Sequence, residues 1–564
     1  MLKKPIGIGI ENYKELVDRP YYYVDKTFMI KELLDCGMKV GLFTRPRRFG
    51  KTLTLSMIKT YFEKEIAANG SIVDNHHYFD GMKILEARDE YLEHMGKYPV
   101  ISMSLKSARQ PDYHMAYTLL LRQISREYDR HKYVLQGNAL SEMEKRRYLA
   151  ILNLAEDKTL YADSLRFLSE CLKKYHGVNT IILLDEYDVP LENAFFRGFY
   201  EQMIDFIRSL FESALKTNDC LQFAVVTGCL RISRESIFTG LNNLDSYSVL
   251  DNQFAEYFGF TQPEVEAMLD FYDLGLHIQE AKEWYDGYLF GEKEVYNPWS
   301  ITKYIKTASS DPGAYPRPYW SNTSSNSIIR ELIETADANM KDELEKLIAG
   351  ETIEKQVHEE VTYGEIYQSQ DNLWNFLFFT GYLKMVAKRF ERNKIYLTLT
   401  IPNMEVNYIY ENTIQEWFDE NVRSADFQPF YQAMQAQDTQ KMENFINGQL
   451  SFSISYHDES ENFYHGYLLG VLGGIVGYRI LSNKEHGTGR PDILLRPNNP
   501  HHTAYVMEIK RVKRFSEQSA ACDKALAQIE EKGYARELLH EGYEKVVCYG
   551  MCFCDKYCMI KVAV

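Results

Sequence analysis

Four short apolar runs, at residues 39–44, 98–103, 179–184 and 221–226, constrain this chain more than any other feature. Most lack the apolar-polar alternation of a strand with one wet face, and stretches of helical periodicity separate them. Strands that are apolar throughout, joined by helical crossovers, make a parallel sheet covered on both faces. The reading is therefore α/β for residues 1–260. After Thr261 the pattern becomes mostly helical, with helices expected at 263–271, 278–286, 327–335, 340–349 and 373–380. A small β element is expected as a hairpin at 382–387 and 394–400. The polar, Gln-rich stretch 424–440 reads as a connector. From residue 440 the order is α-β-β-β-α-β: a helix at 461–471, strands at 476–481, 491–495 and 503–509, a helix at 516–534, and a strand at 545–553. This gives three parts, 1–260, 261–439 and 440–564, and 564 residues are enough for each to bury a core without disulfides.

The first apolar run leads into Arg45-Pro46-Arg47-Arg48-Phe49-Gly50-Lys51-Thr52, and a helix pattern follows. Backbone amides at such a helix start can cradle phosphate, and the helix dipole favours the negative charge. Arg48, Phe49 and Gly50 would supply the loop, Lys51 would reach the β- and γ-phosphates of ATP, and the Thr52 hydroxyl would bind Mg²⁺. Arg45 stands where the first glycine of G-x-x-x-x-G-K-[ST] belongs. The run ending Leu183-Leu184-Asp185-Glu186 has the form of the partner strand. Asp185 would hold Mg²⁺ through water, and Glu186 would polarise the attacking water. The bland alternative is a strand that ends in a solvated acidic turn. Thr227, at the end of the fourth run, is placed like a sensor of the γ-phosphate. Arg231 and Arg234 read equally as phosphate contacts, in cis or across a homo-oligomer, and as surface charges.

Taken with Tyr23-Val24-Asp25-Lys26-Thr27, Gly259-Phe260-Thr261, Tyr285-Asp286-Gly287-Tyr288 and Tyr296-Asn297-Pro298-Trp299-Ser300, these segments resemble the AAA-ATPase-like family found widely in bacteria. Arginine at the first Walker A position is usual in that family. The resemblance implies a P-loop NTPase sheet that binds ATP and Mg²⁺.

Farther on, Pro491-Asp492 opens one expected strand and Glu508-Ile509-Lys510 closes the next. Period-2 geometry puts Glu508 and Lys510 on one face and Ile509 on the other. If the neighbouring strand brings Asp492 alongside, two carboxylates and an ammonium converge, with the oxygen ligands Mg²⁺ prefers. Such a metal lowers the pKa of a bound water and neutralises charge on a scissile phosphate. A surface ion pair between Glu508 and Lys510 is the plain alternative. The pattern resembles the PD-(D/E)XK nuclease superfamily over residues 461–553, and the α-β-β-β-α-β order matches a restriction-endonuclease-like core. That resemblance implies Asp492, Glu508 and Lys510 as catalytic groups and Glu461, ahead of Phe463-Tyr464-His465, as a further metal ligand. It also implies support from Gln528 and Tyr534 on the next helix, with Glu485 and Gly489-Arg490 leading into the motif. Lys510, Arg511, Lys513 and Arg514 cluster beside the site, which suits a phosphate backbone.

Composition limits the remaining choices. A formal charge of −16, from 64 Lys+Arg against 80 Asp+Glu, excludes a protein that coats nucleic acid by charge alone, but allows a local basic groove. Met1-Leu2-Lys3-Lys4-Pro5 has no apolar segment behind it, and the longest apolar stretch, 468–478, is too short to span a bilayer. The nine cysteines are odd in number and lack a secreted spacing, which suits reduced thiols in a cytoplasm. Cys548, Cys552, Cys554 and Cys558 form no C-x-x-C pair and read as buried thiols rather than a zinc site, and His501-His502 reads as a surface loop. The whole is expected to be an ATP-binding, ATP-hydrolysing protein coupled to Mg²⁺-dependent phosphodiester cleavage of DNA, away from membranes, with mobile-element control or defence as the implied setting. The alternatives are a non-catalytic ATP-controlled nucleic-acid-binding or sensing switch, and a kinase or protein-remodelling motor.

Overall fold

The computed structural model describes residues 3–231, 237–238, 242–320, 329–330, 332, 338–358, 369–424, 426–450, 461–482, 491–554 and 557–563. The expected helix at 327–335 falls largely outside these residues, as do Arg234, Glu485, Gly489 and Arg490. The chain forms two compact units, residues 1–325 with 352–409, and residues 326–351 with 410–564. The sequence-based division at 439/440 therefore falls inside the second unit.

The first unit is built on a five-stranded parallel sheet: β1 (Val40–Thr44), β2 (Val100–Ser104), β3 (Thr180–Asp185), β4 (Leu221–Gly228) and β5 (Leu244–Tyr247). Its spatial order is β2-β3-β4-β1-β5. Every residue of β1 and β3 is buried, which is why those runs are apolar without alternation. Because all five strands point the same way, their C-terminal ends form one rim, where open α/β sheets place their ligands. The short edge strand β5, Leu244-Asp245-Ser246-Tyr247, is half-exposed and polar and carries no signal of its own. Beyond the sheet, β6 (Tyr288–Phe290) and β7 (Lys293–Val295) form a hairpin. The expected second hairpin is a three-stranded antiparallel sheet in which β8 (Ile353–Val357) joins β9 (Lys384–Glu391) and β10 (Lys394–Thr400), with β10 in the centre.

In the second unit a mixed sheet runs β11-β12-β13-β14-β15: Tyr478–Ser482, Ile493–Pro497, Ala504–Arg511, Val546–Cys554 and Tyr557–Ala563. Only β13 and β14 are parallel among its pairs. Strand alternation divides the residues between two cores. Tyr505, Met507, Ile509, Val547, Tyr549 and Met551 pack with the helices Gln428–Ala436, Thr439–Leu450 and Glu461–Leu472. Ala504, Val506, Val546 and Cys548 pack with the helices Gln518–Lys532 and Tyr534–His540.

Two details differ from the sequence reading. The Gln-rich segment is helical over Gln428–Ala436, because Phe430, Tyr431, Ala433 and Met434 supply a buried stripe at helical spacing behind Pro429 in the first turn. The expected helix at 516–534 stops at Lys532, where Gly533 adopts the left-handed conformation (φ 71°), so Tyr534 begins a second helix.

Candidate functional site

The first site lies on the rim of the parallel sheet. The chain leaves β1, passes Arg48 (φ 71°) and Gly50 (φ 80°) in left-handed conformations, and enters the helix Lys51–Phe62. These two turns fold the loop over the helix start, leaving backbone amides free to face an anion. The loop lines a cavity of about 360 Å³ with Arg47, Arg48, Phe49, Gly50, Lys51 and Thr52. Thr52 donates its hydroxyl to Asp185 Oδ2 at 2.6 Å, and Thr227 donates to Asp185 Oδ1 at 2.5 Å. β4 lies between β1 and β3, so three strand ends deliver this trio. Of the three, only Thr52 lines the cavity; Asp185 and Thr227 lie outside its lining. Lys51 is folded onto its own loop, with Nζ 2.9 Å from the carbonyls of Arg45 and Pro46.

Glu186 lines the same cavity with φ 52°, an uncommon backbone for a non-glycine residue that costs of order 1 kcal/mol. Burial, reinforced by Asp185, raises its carboxyl above the usual range. A carboxylate poised that way can accept a proton from water, the role expected of it. Asp188 also lines the cavity. Its Oδ2 accepts the Cys229 and Leu230 amides, while Oδ1 is buried with no hydrogen-bond partner. The contacting Thr52 and Asp185 oxygens are donors of the kind Mg²⁺ takes, so the residues fit the group.

Arg45 does not line the cavity. Its fully buried guanidinium donates to the carbonyls of Thr44 (2.9 Å) and Tyr247 (2.8 Å) and lies 5.1 Å from the Phe258 ring and 5.3 Å from the Phe290 ring. Burial lowers its pKa to about 9. Replacement of the first loop glycine is thus accommodated on the β5 side and leaves the phosphate end clear. Arg231 does not line the cavity either. Sequence reasoning assigned no role to the far wall, which Tyr23, Lys26, Phe260 and Trp299 help to build. Asn297 caps the helix Pro298–Ser310, which positions Trp299 with Arg48 4.3 Å from its ring. The signal available was the Asn-Pro pair, an N-cap followed by proline at the first helical position.

The second site is in the mixed sheet. Ile493 pairs with Met507 across β12 and β13, so Asp492, one residue earlier, lies beside Glu508. The Ile509 amide donates to Asp492 Oδ2 at 2.8 Å, and the buried His465 contacts the Asp492 carbonyl through Nε2 at 3.0 Å. Lys510 donates to Glu508 Oε1 at 3.0 Å, and Gln528 donates to the same oxygen. Glu508 is 2% exposed, and its Oε2 is buried without a hydrogen-bond partner. Burial first, then Asp492, holds its carboxyl above the usual range. Burial and the same two carboxylates also raise the Tyr534 phenol, which packs beside them. Gly550 allows this arrangement. It neighbours Glu508 on the same face, and a Cβ there would lie 2.5 Å from the Cys522 backbone oxygen, so the helix Gln518–Lys532 can lie close enough to bring Gln528 in.

Two close carboxylates, one with an orphaned buried oxygen, fit a divalent cation that neutralises both. Among the described residues no three His, Cys, Asp or Glu side chains gather into a metal cage, so water and substrate would complete the shell, as Mg²⁺ habitually accepts. Glu461 begins the helix Glu461–Leu472, but its side chain is outside the described residues. Cys548, Cys552, Cys554 and Cys558 are buried cysteines of β14 and β15.

Comparison with known proteins matches two stretches of the chain to families. Residues 7–238 match the family described as Predicted AAA-ATPase, and residues 459–563 match the PD-(D/E)XK nuclease superfamily. The chain carries an AAA-ATPase-like domain and a C-terminal PD-(D/E)XK nuclease superfamily domain. It is also 28% identical over 344 residues to the uncharacterized protein in the vnfD 5′ region of Azotobacter chroococcum mcd 1. That alignment covers 59% of this chain and 57% of the relative. Among the described residues no helix is long and apolar enough to cross a membrane.

Proposed function

We propose that this chain binds and hydrolyses ATP in its AAA-ATPase-like domain and couples that cycle to Mg²⁺-dependent cleavage of phosphodiester bonds in DNA. The observation that carries the nuclease half is the Asp492–Glu508–Lys510 cluster with its orphaned Glu508 oxygen, since an unpaired buried carboxylate oxygen is costly unless a cation or donor meets it. Asp492 and Glu508 would hold Mg²⁺, with Glu461 as a further ligand. The ion supplies an acidified water and charge neutralisation at the phosphate. Lys510, already on Glu508, would orient the water or stabilise the developing negative charge, and Gln528 would fix the Glu508 rotamer.

At the other site Lys51 would exchange the Arg45 and Pro46 carbonyls for phosphate oxygens. Thr52 and Asp185 would hold Mg²⁺, Glu186 would accept the water proton, and Thr227 would orient Asp185. Residues 1–260 would serve as the motor, 261–439 as the relay and 440–564 as the cutter. A role in mobile-element control or defence rests on the domain pairing, and a cytoplasmic setting on the number and spacing of the cysteines.

A plasmid and oligonucleotide cleavage assay with MgATP, a non-hydrolysable analogue or no nucleotide tests the proposal. Lys51→Ala should remove the nucleotide response. Asp492→Ala should remove cutting while ATP turnover continues.

A further inference from the structure

The sheet face that carries Glu508 and Lys510 continues across two more strands. Lys510 pairs with Cys552, and Cys552 pairs with Met559, so these three side chains share a face. Tyr557, two residues before Met559, returns to that face at the start of the edge strand β15. Two strand spacings, about 10 Å, separate β15 from β13, and Tyr557 lies opposite Cys554, four residues further along β14 than the Glu508 neighbour Gly550, so about 16 Å separates it from Glu508. The chain leaving β13 turns back through Lys513 and Arg514 and places Phe515 against Tyr557, with ring centroids 5.3 Å apart and planes at 77°. Phe515 is 53% exposed and Tyr557 is 56% exposed. An edge-to-face pair that open is not filling a core.

The surroundings indicate what would cover it. Residues 510–516 read Lys-Arg-Val-Lys-Arg-Phe-Ser, four cations and no anion, in a chain whose net charge is −16. Lys513 and Arg514 are exposed, and neither makes an ion pair with a described residue. A polyanion carrying flat, apolar rings meets both demands. Its phosphates would lie on the cations and one of its rings on the aromatic pair. In a continuous duplex the base faces are stacked on one another and hidden. In a single strand they are available, and stacking on a protein aromatic is worth roughly 5- to 150-fold in affinity per base.

We infer that Phe515 and Tyr557 form a stacking platform for an unpaired base of the DNA strand being cut, two or three nucleotides from the scissile phosphate, with Lys513 and Arg514 on the flanking phosphates. The preferred substrate is then single-stranded or locally unpaired DNA. The inference rests on the phosphodiesterase reading of Asp492, Glu508 and Lys510, and names the strand that site takes.

The test is equilibrium binding by fluorescence anisotropy across a salt series. It uses the full chain with Asp492→Ala, so that probes survive, and a labelled thirty-nucleotide oligo-dT against a duplex of the same length. Adding Phe515→Ala with Tyr557→Ala should weaken oligo-dT binding about ten-fold or more and change duplex binding less than about two-fold. Phe515→Trp, which keeps a stacking surface, should retain the affinity. Lys513→Ala with Arg514→Ala should weaken both probes and flatten the salt dependence by about one to two in log–log slope. Equal losses on both probes, or unchanged oligo-dT binding in the aromatic double variant, would overturn the inference. The nuclease reading fails separately: it falls if Asp492→Ala still cuts DNA, and this inference falls with it. If Asp492→Ala abolishes cutting but the aromatic variant holds oligo-dT like its parent, only the platform is lost.

Discussion

Glu405 offers a prediction whose size can be worked from its surroundings. It is fully buried in the first turn of the helix Met404–Ser424. Its Oε1 accepts the Ser300 hydroxyl at 2.9 Å and the Trp320 amide at 2.8 Å, while Oε2 is buried with no hydrogen-bond partner. The hydrogen bonds favour the anion, but burial outweighs them and pushes the carboxyl from the usual 4.5 up to about 7. The folded chain therefore keeps a proton that the unfolded chain sheds. This contribution is fully present below pH 4.5 and is lost as pH rises to about 7. At 1.36 kcal/mol for each pH unit of that interval, the loss is about 3 kcal/mol. Glu405→Gln keeps the Ser300 and Trp320 acceptor, replaces the orphaned oxygen with a neutral amide, and removes the titration. Spread over a unit of about 380 residues, the difference is about 4 °C in melting temperature. Tryptophan fluorescence reports mainly on this unit, which holds four of the five tryptophans. The variant should gain about 3 °C over the parent between pH 5 and pH 7.5, the part of that difference that falls within this range. Parallel melting curves for the two proteins across that range would refute the reasoning.

Other substitutions bear on the two sites. Lys51→Ala should abolish nucleotide binding measured with a fluorescent ATP analogue, because the other two loop cations that line the cavity are engaged elsewhere, Arg47 with Glu192 and Arg48 on the Trp299 ring. Glu186→Gln should leave that binding within about two-fold but slow ATP turnover by about 10² or more, the loss typical of a removed general base. Gly550→Ala would put a methyl 2.5 Å from a backbone oxygen that cannot swing away, so it should destabilise the second unit by about 1–3 kcal/mol in denaturant melts and reduce DNA cleavage as Gln528 is pushed from Glu508.

What could be read from sequence was whatever a local pattern encodes. β1 and β3 declared themselves because burial on both faces forces an unbroken apolar run. Thr52 and Asp185 could both be assigned to one Mg²⁺ because each ends or follows such a strand, and the structure adds the contact between them. Glu508 and Lys510 shared a face through strand periodicity alone, and Ile509 faces the opposite core as that rule requires. The rest depended on residues distant along the chain. β5 and β8 are short and partly polar, and only pairing with β1 and β10 makes them strands. Arg45 departs from the glycine pattern of a phosphate loop, and what holds it in place, Tyr247, Phe258 and Phe290, lies far along the chain. The far wall of the cavity beside the loop 45–52 draws on residues 6–26, 257–268 and 298–302, and no spacing rule joins these segments. Thr227 showed the reverse limit: its position after the strand was legible, but its partner was Asp185 rather than the open cavity.

The most direct measurement is Mg²⁺-dependent cleavage of labelled DNA by the intact chain and by Asp492→Ala, with ATP turnover followed in the same samples. The account predicts that the substitution reduces cleavage at least about 10²-fold while ATP turnover stays at the parental rate. Undiminished cleavage by Asp492→Ala would contradict it.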